Sequence, residues 1–162
     1  MPTRRLPPIN DYERRVLQNV EKFGWHCTSV TPGESDNDFV PFSYTVGLFE
    51  RFGASELIVF GLDGDVAHSI FSIYANRLWV GDPIPVDRAS GELIENFSCA
   101  FVPVPRDRYN EFVFSALWFY AEVEFPLNQL VWPDADGSYP WNPSAKPGAL
   151  AQQPVLALRS VA

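Results

Sequence analysis

The residues from Trp132 to Trp141 (Trp-Pro-Asp-Ala-Asp-Gly-Ser-Tyr-Pro-Trp) hold two indoles, a phenol, two prolines and two carboxylates. Aromatic walls with a few aimed polar groups are what a small-ligand pocket needs, and proline stiffening lowers the ordering cost of binding. The same rings equally suit a structural loop that packs onto the core. Asp134-Ala135-Asp136-Gly137 opens like a calcium loop. However, no bidentate Glu follows at the required place and Pro140 and Pro143 interrupt it, so an ordinary turn and no metal are expected. His26 and Cys27 are adjacent, and on a strand they point to opposite faces. A Cys–His nucleophile would have to be assembled in space, from His26 or His68 with Cys27 or Cys99. Inert buried thiols are the expectation.

In Phe42-Ser43-Tyr44-Thr45-Val46-Gly47, strand alternation puts Ser43, Thr45 and Gly47 on one face and Phe42, Tyr44 and Val46 on the other. A hydroxyl face ending at a glycine suits a polar ligand, or hydrogen bonds within the sheet. The expected ligand-binding set is therefore Tyr44, Thr45, Trp132, Asp134 and Trp141, with the Trp132–Trp141 loop folded over the C-terminal end of the 40–48 strand. Glu56, Asp134 and His26 are the candidates for acid–base work. No nucleophile elbow, phosphate-cradling glycine loop or dinucleotide fingerprint occurs.

These residues need elements to hold them. Asn10 with Glu13 three residues on predicts a capped helix over 11–23, with Tyr12, Val16, Val20 and Phe23 on one stripe and Gly24 at the stop. Strands are expected at 25–30, 40–48 and 56–62. The last is nearly continuous in apolar residues and so covered on both faces. A second helix spans about 65–79, a strand 96–104, a third helix follows Asp107, and a short strand covers 128–131. An extra strand has room around 83–87, and 31–38 is a polar acidic loop. The pattern predicts one α+β domain over residues 10–143 with a mixed, largely antiparallel sheet. A small partly closed barrel is the alternative. Residues 1–9 are expected to be an extended arm and 144–162 an extended tail. Tyr12, Val16, Val20, Leu57, Val59, Ile70, Ile73, Phe112 and Leu117 should be mostly buried.

Composition narrows the class. The chain of 162 residues is 46% hydrophobic and 20% charged with 15% aromatics, which excludes disorder and coiled coil. Its net charge is −8, and beyond residue 22 it holds 7 bases against 17 acids. That balance repels a phosphate backbone, so no nucleic-acid partner is expected. No apolar run is long enough to span a bilayer, and the N-terminus lacks an apolar signal core, so neither a membrane nor export is expected. Two cysteines make no disulfide framework, and a cytoplasmic setting follows.

Gly24-Trp25, Phe42-Ser43-Tyr44-Thr45-Val46-Gly47-Leu48, Glu56 to Leu62, and Gln129 to Asp134 with Pro140-Trp141 recur together in one order and spacing. On these motifs residues 20–143 resemble the bacterial family known as domain of unknown function 4262. The resemblance implies no established activity. Members of that family tend to carry His-Pro-Glu where this chain has Ala54-Ser55-Glu56, so a histidine is missing here while Glu56 remains.

The functional expectation is a ligand-binding or protein-interaction module with an aromatic-walled pocket, no cofactor, and a small molecule or a protein as partner. Two other readings stay open. One is an enzyme on a small organic substrate, with a flavin-binding variant suggested by the Tyr-Thr-Val-Gly strand. The other is an antitoxin or immunity protein.

Overall fold

The computed structural model describes residues 6–31 and 40–158. Much of the expected N-terminal arm and of the acidic loop lies outside them. The Asn10 side chain accepts from the Glu13 N–H at 2.8 Å and starts α1 (Asp11–Phe23), and Gly24 at φ +88° ends it. There follow β1 (His26–Val30), β2 (Phe42–Val46), α2 (Leu48–Phe52), β3 (Glu56–Phe60), α3 (Gly64–Trp79), β4 (Ser90–Ile94) and β5 (Phe97–Pro103). A 3-10 turn (Arg106–Arg108), α4 (Tyr109–Phe112), α5 (Phe114–Tyr120), β6 (Leu127–Val131) and α6 (Ala149–Gln152) complete the order.

The six strands form one open sheet in the order β1-β2-β3-β6-β5-β4. Every pairing is antiparallel except β3 with β6, which is parallel. The sheet is mixed and mostly antiparallel, and it does not close into a barrel. β2, β3 and β6 are buried along their whole length, as the run Leu57-Ile58-Val59-Phe60 requires, because helices cover both faces. Val16 of α1 and Ala116 and Phe119 of α5 share one apolar cluster with Tyr44, Ile58 and Phe60. On the other face Ala67, Ile70 and Phe71 of α3 pack on Leu57, Val59 and Leu130.

The expected core is met. Val16, Leu57, Val59 and Ile70 are buried, Val20, Phe112 and Leu117 are half-buried, and Tyr12 and Ile73 are the most exposed at 37% and 39%.

Four local expectations shift. The strand over 40–48 ends at Val46, because Gly47 at φ +104° turns the chain into α2. The helix after Asp107 is broken in pieces, since Val113 at φ −96°, ψ +57° leaves helical geometry. The extra strand lies at 90–94 rather than 83–87. The stretch expected as an extended tail carries α6 and buries Gln153, Val155 and Leu156. Gly61 allows this docking: a Cβ there would lie 2.6 Å from the Gln152 carbonyl oxygen. No described helix is long and apolar enough to cross a membrane.

Candidate functional site

Glu56, the first residue of β3, is fully buried, and five donors surround its carboxylate. Thr45 Oγ1 donates to Oε1 at 2.8 Å, the Gly47 N–H to Oε2 at 2.9 Å, and the Leu48 and Phe49 N–H groups at 3.2 Å each. The Tyr120 hydroxyl donates to Oε2 and accepts from the Glu50 N–H. The arrangement is local in origin. Gly47 frees the opening N–H groups of α2 from strand pairing, and those groups need an acceptor. Leu57 N–H donates to Thr45 Oγ1 at 2.9 Å, so a side chain replaces a ladder bond and β2 parts from β3 there. Burial pushes the Glu56 carboxyl up to about 7, against the opposing pull of Tyr120, Thr45 and the amides. The carboxyl group is closed off from solvent. It holds β2, α2, β3 and α5 together.

Trp132 lies at the far end of β3. Its indole N–H donates to the Phe60 carbonyl at 2.9 Å, and its backbone pairs in both directions with the Gln153 carboxamide at 2.8 Å. Because β2 runs antiparallel to β3 and β6 runs parallel to it, the C-terminal ends of β2 and β6 point to opposite ends of the sheet. The 132–141 loop therefore does not fold over Thr45 and Gly47, and the expected pocket between them does not form. Asp134 closes a turn: Oδ1 accepts from the Asp136 and Ser138 N–H groups at 2.9 and 3.0 Å. Trp141 stacks on Tyr139, with centroids 5.0 Å apart, and remains 38% exposed. Tyr44 is buried on the α1 and α5 side, where its hydroxyl accepts from the Ser115 N–H. Trp132 does line an apolar groove of about 420 Å³, with Ile70, Ile73, Leu93 and Phe97.

His26 is placed differently. It sits on β1, which is an edge strand, beside a groove of about 520 Å³ that wraps around that edge. Asn19 and Phe23 of α1 form one wall, His68, Ser72 and Asn76 of α3 form the other, and Trp25, His26 and Cys27 form the floor. His26 Nδ1 accepts from the Asn19 carboxamide at 2.9 Å. The Tyr12 hydroxyl gives its proton to Thr28 Oγ1 at 2.5 Å, so the 3.2 Å contact between Tyr12 and His26 is Nε2–H donating to the phenol oxygen. Burial, with Arg15 and His68 adding to it, lowers the His26 pKa to about 4, so the ring is neutral. His68 stacks on Trp25 with centroids 5.4 Å apart and planes 25° from parallel. Burial pushes both thiols up to about 11, and neither cysteine is disulfide-bonded. A thiolate nucleophile has no support at either position.

The family profile described as domain of unknown function (DUF4262) matches residues 19–146. The chain belongs to the DUF4262 family. Comparison with the curated proteins and with the solved structures finds no match. The matched region of this DUF4262 chain contains both the Glu56 cradle and the whole edge groove.

Of the residues singled out in the sequence, Thr45 joins Glu56, and Trp132 and Asp134 line one small cavity of about 70 Å³. His26, His68 and Cys27 reach the edge groove, while Cys99 does not line it. Asn19, Phe23, Trp25, Ser72 and Asn76 were not anticipated as a site. Their signal is helical spacing: Asn19 with Phe23, and His68 with Ser72 and Asn76, recur every four residues as uncharged stripes in an acidic chain.

Proposed function

We propose that this protein is a small-ligand-binding module of the cytoplasm whose ligand seats in the β1 edge groove. One observation carries the reading. Three elements converge there with two carboxamides, two imidazoles, a serine and two aromatic rings, in a volume suited to a small organic molecule. The acid–base candidates support binding over catalysis. Glu56 is sealed under five donors, both ring nitrogens of His26 are engaged, and Asp134 closes a turn through Oδ1 while its buried Oδ2, without a hydrogen-bond partner among the described residues, faces a cavity of only about 70 Å³. The low thiolate character of both cysteines supports the same reading.

The test is a mixed small-molecule screen on the full chain by ¹H–¹⁵N NMR. The expected result is a subset of compounds whose shifts cluster at Trp25, Asn76 and the His68 helix turn. Shifts that cluster at the Trp132 groove, or nowhere, would refute the assignment of the site.

A further inference from the structure

We propose that the ligand of the edge groove is an uncharged planar heterocycle with an amide-type edge, of nucleobase or nucleoside kind, and that His68 occupies its stacking place on Trp25 until it binds. This rests on the ligand-binding reading above and names the chemistry of that site.

The argument begins with charge. None of the groove's side chains is a carboxylate, ammonium or guanidinium, in a chain with 12 basic and 20 acidic residues. A charged ligand group would be partly desolvated there with no counter-charge in the lining, since Arg15, whose charge is felt at His26, is exposed outside it. The walls supply paired donors and acceptors instead. Asn19 uses one N–H on His26 Nδ1, which leaves its other N–H and its Oδ1 free to face a ligand. Asn76, on the opposite wall, is exposed and has no side-chain hydrogen bond among the described residues. Each carboxamide offers a donor and an acceptor side by side, which matches the N–H and C=O pair on the edge of a pyrimidine or purine lactam.

Stacking supplies the second half. Trp25 is half-buried against the α3-side core, and its indole carries the His68 imidazole nearly parallel to it. His68 is exposed, and the polar contact of its ring is Ser72 Oγ at 3.5 Å, too long to fix it. An exposed ring held chiefly by stacking leaves by a rotamer change. A flat ligand of similar thickness then takes the same position on the indole, with its edge toward the carboxamides.

The experiment titrates uridine and guanosine into the ¹⁵N-labelled full chain, with their 5′-monophosphates and phenol as separate arms. The proposal expects saturable shifts of the Trp25 indole N–H and the Asn76 side-chain amide with the nucleosides. The monophosphates should bind no tighter, and phenol should bind more weakly. Asn76→Ala, at an exposed helix position, should weaken nucleoside binding by about ten-fold or more, the loss of a paired donor and acceptor. His68→Ala should tighten nucleoside binding, because it removes a competitor for the face of Trp25. A five-fold loss in His68→Ala, or tighter binding of phenol or the monophosphates, would overturn the proposal. Silence of these signals with nucleosides, while other screened compounds move them, overturns the ligand class and leaves the groove as the site. Silence with every compound overturns both.

Discussion

Glu56 and His26 are both titratable, both buried and both at a strand end, yet their surroundings differ in kind. Five donors from β2, α2, α5 and the turn between β2 and α2 surround the Glu56 carboxyl, and solvent does not reach it. His26 is held by Asn19 and Tyr12 on one side of an edge strand, and a groove of about 520 Å³ opens beside it. A saturated, sealed polar group stabilises the fold. An open polar region with unspent hydrogen-bonding capacity is available to something else. The distinction depends on which donors remain free after folding, and residue type alone does not supply it.

The largest expected effect breaks the sealed side of this comparison. Glu56→Ala leaves the Gly47, Leu48 and Phe49 amides and the Thr45 and Tyr120 hydroxyls without their acceptor. Each buried orphan costs about 1–3 kcal/mol, so the variant should lose more than ~4 kcal/mol in urea unfolding. A loss below ~1 kcal/mol would show that water replaces the carboxylate and that the site is not sealed. Next comes Trp132→Ala, which removes a half-buried indole and its bond to Phe60. About 3 kcal/mol is expected, against less than ~1 kcal/mol for Asp134→Asn, which keeps the Oδ1 acceptor of the turn. Equal losses in the two variants would assign the turn, and not the indole, as the anchor of the loop.

Legibility in the sequence followed the same division. The covered strand at Leu57 to Phe60 and the capped helix α1 were readable because periodicity and caps are local properties. Helix α2 was not, because its five residues are too few to show a period and Gly47 alone marks the turn. Glu56 was visible as a carboxylate, but its donors come from residues 45–49 and from Tyr120, 64 positions away. The ligand pocket expected between Thr45 and Trp132 failed on strand direction: nothing in either segment states that β6 runs parallel to β3. The edge groove depends on α1 and α3 flanking β1 from opposite faces, which is a property of topology.

Proton linkage sharpens the comparison, because the two groups pull stability in opposite directions. The folded Glu56 carboxyl, raised from 4.5 to about 7, keeps a proton that the unfolded chain has lost between those values. Stability from this group therefore falls as pH rises from 4.5 to 7. The folded His26 ring, lowered from 6.5 to about 4, stays neutral where the unfolded chain protonates. Stability from this group falls as pH drops from 6.5 to 4. The slopes oppose one another between 4.5 and 6.5 in the natural chain. Glu56→Gln should expose the histidine slope, with urea midpoints rising with pH up to about 6.5. His26→Gln should expose the other, with midpoints falling toward pH 7. Parallel pH profiles in the two variants would contradict the roles given to both residues.

The smallest expected effect lies on the open side and tests it most directly. His68 is exposed on α3, and its ring contributes a stack on Trp25 and no hydrogen bond of ordinary length. Losing an exposed aromatic stack costs about 0.5–1.5 kcal/mol, and alanine returns about 0.5 kcal/mol through its higher helix propensity. His68→Ala should therefore stay within about 1 kcal/mol of the natural chain. His26→Ala removes a buried ring bonded to Asn19 and Tyr12 and should cost about 2–3 kcal/mol. Two histidines at one groove would then separate into a structural ring and an expendable one. An expendable aromatic group on a conspicuous stacking surface is what a place-holder for a ligand requires. If His68→Ala destabilised the chain as much as His26→Ala, the Trp25 stack would be part of the core and the groove would lose its movable wall.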